Sequence, residues 1–392
     1  MATVARSHPV TSEPTSAHRK QATPPAITFW VVVGTWQARQ HMAAGRTRAS
    51  TAKAVEYLIF LQVVWVAIFV GVAISSRPQV PCLFIFGDSL VDNGNNNRIL
   101  TLARANYMPY GIDFPAGVTG RFSNGLTAVD VLAKLLGFSD YVPAHGDHSP
   151  MDQQIESFRR TVPRMRRYLG GNANRVNRYL SRCIFSVGMG SNDYLNNYFM
   201  PYLYSTSYEY SPKTYADVLL EEYSRQLTEL YDLGARKVAV WGVGQIGCIP
   251  YEIARLRGND DGSGGRCNER INRAIARFNK GLKKLVRRFN DGQLPGANFV
   301  YINTYRSFHD LAQNADSYGF EVVDEGCCGV GRNNGQITCL PLQPPCDDRS
   351  KYIFWDAFHP TEAANIILAN KSYSSNSPSD VYPINIRQLA MS

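Results

Sequence analysis

The sequence contains no Cys-x-x-Cys pair, no internal repeat and only one long apolar run, at 57–74. Common zinc modules space their cysteine ligands as Cys-x-x-Cys, so its absence argues against a structural zinc site. Charged residues make up 19% of the chain and apolar residues 44%, which is ordinary for a globular protein. Because no second boundary is visible after the apolar run, a single large domain is predicted over 76–392.

The formal net charge of +9 is placed unevenly along the chain. Residues 1–54 hold seven basic residues and one acid, Glu13, so this basic leader carries most of the excess and is expected to be disordered. The basic stretches 159–167 and 283–288 lie in helix-like segments and are interpreted as solvated faces. No nucleic-acid partner is therefore expected, and protein partners are not predicted.

The apolar run 57–74 follows basic residues and ends in a small-x-small cleavage site at Ser75. This pattern predicts a signal peptide, with its apolar region at 55–75, and a protein secreted to the cell exterior or wall. A membrane anchor at 57–74 is the alternative, since the run is long enough to cross a bilayer. Met42 begins a signal of conventional length, so translation is expected to start there, or residues 1–41 to be a gene-model extension.

The chain has eight cysteines, and secretion makes disulfide bonds possible. Four of them lie at 327–346, where cross-links would stabilise an irregular Gly- and Pro-rich loop. The one specific pairing predicted is Cys248 with Cys267, and a zinc site around Cys327 and Cys328 is the weaker alternative. The sequence also offers one N-glycosylation acceptor, Asn370.

Short apolar runs alternate with longer helical patterns through the rest of the chain. Buried strands are predicted at Leu83–Phe86, Cys183–Val187, Lys237–Val243 and Phe299–Ile302. Helices are predicted at Thr127–Leu136, Thr214–Leu233 and Asn268–Asn290. This alternation indicates an α/β fold in which helices cover both faces of a parallel sheet. Functional residues of such sheets lie beyond the carboxyl ends of the strands.

A serine and an acid–histidine pair stand at opposite ends of this domain. Ser89 follows the first predicted strand, and Asp356 and His359 precede a C-terminal helix expected to begin near Thr361, with Pro360 in its first turn. A serine hydroxyl becomes a strong nucleophile when an imidazole takes its proton, and a carboxylate fixes the imidazole tautomer. Each residue alone would more often be a cap or turn residue. Together they predict acyl-transfer chemistry, provided that they meet.

Acyl transfer also requires hydrogen-bond donors directed at the developing oxyanion. Three candidates are the backbone N–H of Ser89, a glycine N–H in the segment 120–125 and the side-chain amide of Asn192. Each of these would alone more often be a turn residue.

The segment 242–247 matches Gly-x-Gly-x-x-Gly after a predicted strand, the pattern of a dinucleotide site. However, Pro250 stands where the following helix should begin to hydrogen-bond, and Asp260 and Asp261 lie in a Gly-rich loop. We therefore expect no nucleotide, and neither a cofactor nor a metal is expected.

Four short segments follow one another along the domain: FGDS at 86–89, GRFSNG at 120–125, GSND at 190–193 and DAFHP at 356–360. In this order they resemble the four blocks of the SGNH hydrolase superfamily, and most closely those of the plant GDSL esterase/lipase family. The resemblance runs from about Pro81 to the C-terminus. It implies a flavodoxin-like three-layer α/β/α fold, secretion and hydrolysis of carboxylic esters, including lipid acyl esters.

The resemblance also implies residue roles. Ser89 would be the nucleophile, Asp356 and His359 its partners, and Asn192 an oxyanion donor. For the glycine donor we favour Gly125, with Gly120 as the alternative.

The expected substrate is a small-molecule or lipid ester. Two other functions remain open on the same residues: an acyltransferase, and a catalytically silent relative that binds glycans or lipids. The intact serine, acid and histidine argue against the silent relative. The sequence does not separate hydrolase from acyltransferase, because water and alcohol compete for one acyl-enzyme.

Overall fold

The computed structural model describes residues 78–98, 100–101, 103–138, 150–256 and 267–392. The basic leader, the predicted signal peptide and the Met42 start lie outside these residues, as do Asp260 and Asp261.

The described chain forms seven strands in two sheets. They are β1 (Leu83–Phe86), β2 (Ile184–Gly188), β3 (Lys237–Trp241), β4 (Asn298–Ile302), β5 (Val322–Gly326), β6 (Tyr352–Phe354) and β7 (Val381–Tyr382). The main sheet has the order β1-β2-β3-β4-β7, in which β1 to β4 are parallel and β7 pairs antiparallel with β4. Strands β5 and β6 form a separate parallel pair.

Twelve α-helices occur in the described residues. They are α1 (Ala128–Leu135), α2 (Met151–Tyr168), α3 (Ala173–Leu180), α4 (Ser191–Asp193), α5 (Thr206–Glu209), α6 (Pro212–Asp232), α7 (Pro250–Arg255), α8 (Glu269–Arg288), α9 (Thr304–Gln313), α10 (Ala315–Tyr318), α11 (Glu362–Ser374) and α12 (Ile386–Met391). Short 3-10 turns lie at Asn95–Arg98, Ile246–Cys248, Arg332–Asn334 and Arg349–Lys351, and π turns at Tyr194–Tyr198 and Phe289–Gln293. Each of these helices is too short or too polar to span a bilayer.

Side chains alternate along the strands, so the main sheet has two apolar faces. On one face Phe185, Val238 and Phe299 lie in register and pack against helices α2, α3, α6 and α8. On the other face Ile184 and Ala239 pack against α1, α11 and α12. Because β1 to β4 follow one another in chain order, right-handed crossovers place α2, α3, α6 and α8 on one side, while α1, which also lies between β1 and β2, packs on the other. The predicted three-layer α/β/α fold is confirmed.

Capping side chains explain why the predicted helix boundaries are nearly correct. Thr127 and Asp130 form a reciprocal capping box at the start of α1, and Asn268 accepts the backbone N–H of Ile271 at the start of α8. The strand β3 ends two residues earlier than predicted. Its continuation is prevented because both backbone groups of Val243 bond to the side-chain amide of Asn279, at 2.9 and 2.7 Å.

The cysteine-rich segment 327–346 was predicted to be an irregular loop. In the structure it lies between the two paired strands β5 and β6. Four disulfides are present: Cys82–Cys183, the predicted Cys248–Cys267, Cys327–Cys346 and Cys328–Cys339. All eight cysteines are thereby bonded, which makes the zinc alternative wrong, because zinc binds cysteine as free thiolate.

Candidate active site

Ser89 lies in a tight turn directly after the carboxyl end of β1. The turn is closed by a backbone bond from Val91 to Asp88, and the Asp88 carboxylate accepts the N–H of Leu90 at 3.0 Å. Helix α2 holds the strand end through Gln154, whose side-chain amide bonds both the N–H and the carbonyl of Gly87, at 3.0 and 2.8 Å. The serine is thus presented from a fixed backbone at the edge of the sheet.

The structure brings Ser89, His359 and Asp356 together. The Ser89 Oγ and His359 Nε2 atoms are 2.9 Å apart, although the residues are separated by 270 positions. The other ring nitrogen, Nδ1 of His359, lies 2.9 Å from each carboxylate oxygen of Asp356. A continuous chain of hydrogen bonds therefore runs from the carboxylate through the imidazole to the serine hydroxyl.

The acid and the histidine are held by the turn between β6 and α11. The Oδ1 atom of Asp356 accepts the backbone N–H groups of Phe358 and His359, both at 2.8 Å. Thr361 caps α11 by accepting the N–H of Ala364, so the first helical residue is Glu362. The sequence predicted Pro360 in the first turn of α11. In the structure Pro360 instead precedes the capping residue Thr361.

Two hydroxyl groups that the sequence analysis missed complete the surroundings of Asp356. The Tyr110 hydroxyl donates to Asp356 Oδ2 at 2.6 Å and the Thr338 hydroxyl to the same atom at 3.0 Å. Tyr110 lies 246 residues and Thr338 18 residues from Asp356 in the chain, both in irregular segments, and no local pattern marks either.

These donors keep the fully buried Asp356 ionised. Burial acts to raise the pKa of Asp356, but His359, the Tyr110 hydroxyl and the N–H of Phe358 outweigh it, so this pKa lies below its usual value. Burial, together with the carboxylate of Asp356, raises the pKa of Tyr110 well above its ordinary value. Tyr110 therefore stays protonated and remains a donor.

Ser89 and His359 face a solvent-open pocket of about 920 Å³. Phe122 forms part of its wall and packs against the imidazole, with ring centroids 4.8 Å apart. Asn192, on α4, lines the same pocket. Its Nδ2 atom lies 3.5 Å from Asp88, while its Oδ1 atom accepts a hydrogen bond from Asn196 at 2.7 Å. The donor side of the Asn192 amide thus faces the turn that carries Ser89.

The structure does not bring the predicted glycine donor to this pocket. The N–H of Gly125 bonds to Ser123 Oγ at 3.3 Å, and a Cβ at Gly125 would lie 2.6 Å from the carboxylate of Glu362. Gly120 packs against Gly94 and Asn97, and neither glycine is part of the pocket wall. The physical reason is that the chain after Phe122 turns away to contact the start of α11.

Comparison with known sequences agrees with this geometry. Residues 83–372 match the model of the family described as GDSL-like Lipase/Acylhydrolase. The chain belongs to this family.

Similar proteins of this GDSL family occur in Arabidopsis thaliana. GDSL esterase/lipase At1g33811 is 60% identical over 343 residues, covering 80% of this chain and 92% of the relative. GDSL esterase/lipase At1g29660 is 49% identical over 357 residues, covering 83% and 96%. GDSL esterase/lipase At5g45670 is 48% identical over 361 residues, covering 85% and 98%. This GDSL protein is a carboxylic ester hydrolase, as the sequence predicted.

In the dinucleotide-like motif of this GDSL esterase, the backbone N–H groups at the second and last positions are already bonded within the protein. The N–H of Val243 bonds to Asn279 at 2.9 Å and that of Gly247 to Asn272 at 3.0 Å, both amides coming from α8. A phosphate site needs such N–H groups directed at the ligand. Within the described ranges, no cluster of three or more His, Cys, Asp or Glu side chains could hold a metal.

The predicted glycosylation acceptor lies within α11. Asn370 is exposed, and its side-chain amide donates to the carbonyl of Ile366 at 2.8 Å, whereas Ser372 is buried. Glycosylation of Asn370 stays a prediction.

Replacing Tyr110 with Phe tests the support of Asp356. Losing a donor to a buried carboxylate should lower the free energy of unfolding by about 1–3 kcal/mol. Asp356, whose pKa is lower in the folded than in the unfolded state, contributes stability above about pH 4 that is lost as the pH falls through the folded pKa. Tyr110→Phe should raise the folded pKa and so shrink this acid-sensitive contribution, measured by denaturant unfolding at a series of acidic pH values.

The matched control is Tyr107→Phe, which removes a hydroxyl from the same loop. The Tyr107 hydroxyl donates to the carbonyl of Cys339 at 2.8 Å. It should leave the acid-sensitive contribution of Asp356 close to wild type. Equal pH dependence in the two variants would contradict the role given to Tyr110.

Proposed function

We propose that this GDSL esterase hydrolyses acyl and lipid esters through a covalent acyl-enzyme on Ser89. The observation that carries the proposal is the hydrogen-bond chain from Asp356 through His359 to Ser89 Oγ. A serine in this arrangement can transfer its proton to the imidazole as it attacks a carbonyl carbon.

In the first half of the reaction, Ser89 Oγ attacks the ester carbonyl and His359 Nε2 takes the hydroxyl proton. Asp356 holds Nδ1–H of the imidazole and stabilises the imidazolium that forms. His359 then gives the proton to the leaving alcohol. In the second half, His359 Nε2 takes a proton from a water molecule, which attacks the acyl carbon. His359 then returns this proton to Ser89 Oγ as the bond from Oγ to the acyl carbon breaks and the acid is released.

Two donors are available to the oxyanion of the tetrahedral intermediate. They are the backbone N–H of Ser89 and the Nδ2 amide of Asn192, which lines the Ser89 pocket. Asn196 supports the second donor, because its bond to Asn192 Oδ1 leaves Nδ2 on the side of the turn that carries Ser89.

We also propose that the enzyme is secreted. Four disulfides join all eight cysteines, a pattern typical of proteins that fold in an oxidising compartment. The apolar run 57–74 with its preceding basic residues would direct the chain there.

The nucleophile is tested by replacing Ser89 with Ala and treating each protein with a fluorophosphonate probe, followed by peptide mass spectrometry. The wild type should be labelled at Ser89, and Ser89→Ala should lose labelling and roughly 10⁴-fold or more of kcat. His359→Ala should lose a similar share of the rate, because the residues act as a unit.

Ser191→Ala is the control, since Ser191 lines the same pocket and should leave labelling at Ser89 intact. A well-folded wild type that is not labelled would contradict the proposal and favour the silent binding protein.

The orientation of Asn192 is tested by Asn196→Asp. The new carboxylate cannot donate to Oδ1, so it should draw Nδ2 of Asn192 toward itself and turn Oδ1 toward the oxyanion. Since one oxyanion donor is worth about 10²–10³ in kcat, a fall of about 10- to 100-fold is expected with little change in KM.

Asn197→Asp is the matched control, because it adds the same charge one residue away. The Oδ1 atom of Asn197 accepts the hydroxyl of Thr206, a role that a carboxylate preserves. Equal losses of kcat in both variants would show that the added charge causes the effect, and would contradict the orienting role of Asn196.

Secretion is tested by sequencing the N-terminus of the mature protein released from a secreting plant-cell host. The first residue should lie near position 76, just after the predicted cleavage site. A protein that retains 57–74 in a membrane fraction would support the anchor instead. Peptides from residues 1–41 in the native precursor would contradict a start at Met42.

A further inference from the structure

A second cavity opens beside Ser89 and crosses the carboxyl ends of β1 to β4. It encloses about 1040 Å³ of empty space, including its open mouth. We call it the strand-end trough, and its walls include Phe86, Gly188, Trp241, Gly244, Ile302, Phe308, Phe354 and Leu368. Strands in a sheet lie about 4.8 Å apart, so the trough extends roughly 14 Å from β1 to β4.

The strand-end trough adjoins the pocket that holds Ser89. Leu90 and Phe358 line both cavities, and they are the chain neighbours of Ser89 and His359. Ile246 and Ile249 also line both. The trough therefore begins beside the residues that carry Ser89 and His359.

The trough walls are mostly apolar, and two of their polar groups bond within the protein, although the buried Thr304 Oγ1 has no hydrogen-bond partner. The indole N–H of Trp241 donates to Ser186 Oγ at 2.8 Å, so both groups are satisfied within the wall. The side-chain amide of Asn365 donates to the carbonyl of Leu126 at 3.0 Å. At the far end, the rings of Phe308 and Phe354 stack with centroids 6.2 Å apart. An apolar ligand suits this surface better than a polar one.

Glycines at the strand ends keep the trough open. A Cβ atom at Gly244 would lie 3.3 Å from Phe308 Cδ2, and one at Gly188 would lie 3.3 Å from Trp241 Cβ. Gly244 belongs to the Gly-x-Gly-x-x-Gly motif. A larger side chain at position 244 would therefore crowd Phe308 and narrow the trough between β3 and α9.

The side of Ser89 away from the trough is more polar. The cavity there is lined by Asp193, Glu222 and Gln226 as well as by Ser89 itself. Burial of apolar chain in the trough is favourable, whereas the polar side suits an alcohol or head group. The two sides divide an ester into its acyl and alcohol parts.

We propose that the strand-end trough binds the acyl chain of the substrate, and that Gly244 and Phe308 set the chain length the enzyme accepts. This inference rests on the proposed attack by Ser89. It predicts a substrate class of esters whose acyl chain is unbranched and of medium to long length, since each methylene within the trough adds buried apolar surface.

The experiment measures kcat/KM for p-nitrophenyl acetate, butanoate, octanoate and dodecanoate. Wild type should prefer the longer chains. Gly244→Val should lower kcat/KM for dodecanoate about 10-fold or more while leaving acetate within about 2-fold, because the added side chain narrows only the trough. Phe308→Ala should instead extend the preference toward dodecanoate.

Tyr305→Ala is the matched control, because Tyr305 lies on the same helix as Phe308 and packs on the core, but is not part of the trough wall. Its chain-length profile should equal that of wild type. If Gly244→Val does not fold, Phe308→Ala and Tyr305→Ala still decide the matter.

The outcomes separate this inference from the proposed function. An unlabelled wild type that does not hydrolyse acetate would overturn the role of Ser89. Suppose that Ser89 is labelled, acetate is hydrolysed normally, and wild type and both trough variants share one chain-length profile. This result would overturn the acyl-binding role of the trough and leave the role of Ser89 intact. A wild-type preference for acetate over octanoate would also overturn it.

Discussion

A carboxylate with no exposed surface needs hydrogen-bond donors, and five groups supply them to Asp356. The hydroxyls of Tyr110 and Thr338 bind one carboxylate oxygen, and the N–H groups of Phe358 and His359 bind the other. The imidazole of His359 is the fifth donor. Because these groups come from three separate parts of the chain, satisfying one buried charge also fixes the relative positions of those parts.

Two disulfides extend this support into the segment 327–346. Thr338 precedes Cys339, which is bonded to Cys328, and the N–H of Cys328 donates to the carbonyl of Trp355 at 2.7 Å. Tyr107 bonds to the carbonyl of Cys339 and so ties the loop of Tyr110 to the same segment. A region whose sequence indicates only an irregular loop is therefore part of the structure that positions the acid and the histidine.

The sequence could predict the four strands β1 to β4 and the helices α1, α6 and α8, because each is marked by a local pattern. It also singled out Ser89, Asp356 and His359, which the structure brings together. Tyr110 lies 246 residues from Asp356, and nothing in its neighbourhood indicates the contact. The sequence likewise could not show that the N–H of Gly125 bonds to Ser123 Oγ and does not point toward the Ser89 pocket. The direction of this N–H depends on how residues 123–126 pack against Glu362. That contact is tertiary, and the sequence of segment 120–125 alone does not reveal it.

The glycine motif at 242–247 shows how tertiary contacts decide what a motif does. In a dinucleotide site the backbone N–H groups at the start of a helix face the phosphates. Here the buried amides of Asn272 and Asn279 occupy those N–H groups from one side. On the other side, Gly244 lines the strand-end trough and packs closely against Phe308. A loop with these two donors occupied, and with an aromatic ring on its trough side, suits a hydrocarbon chain better than a phosphate.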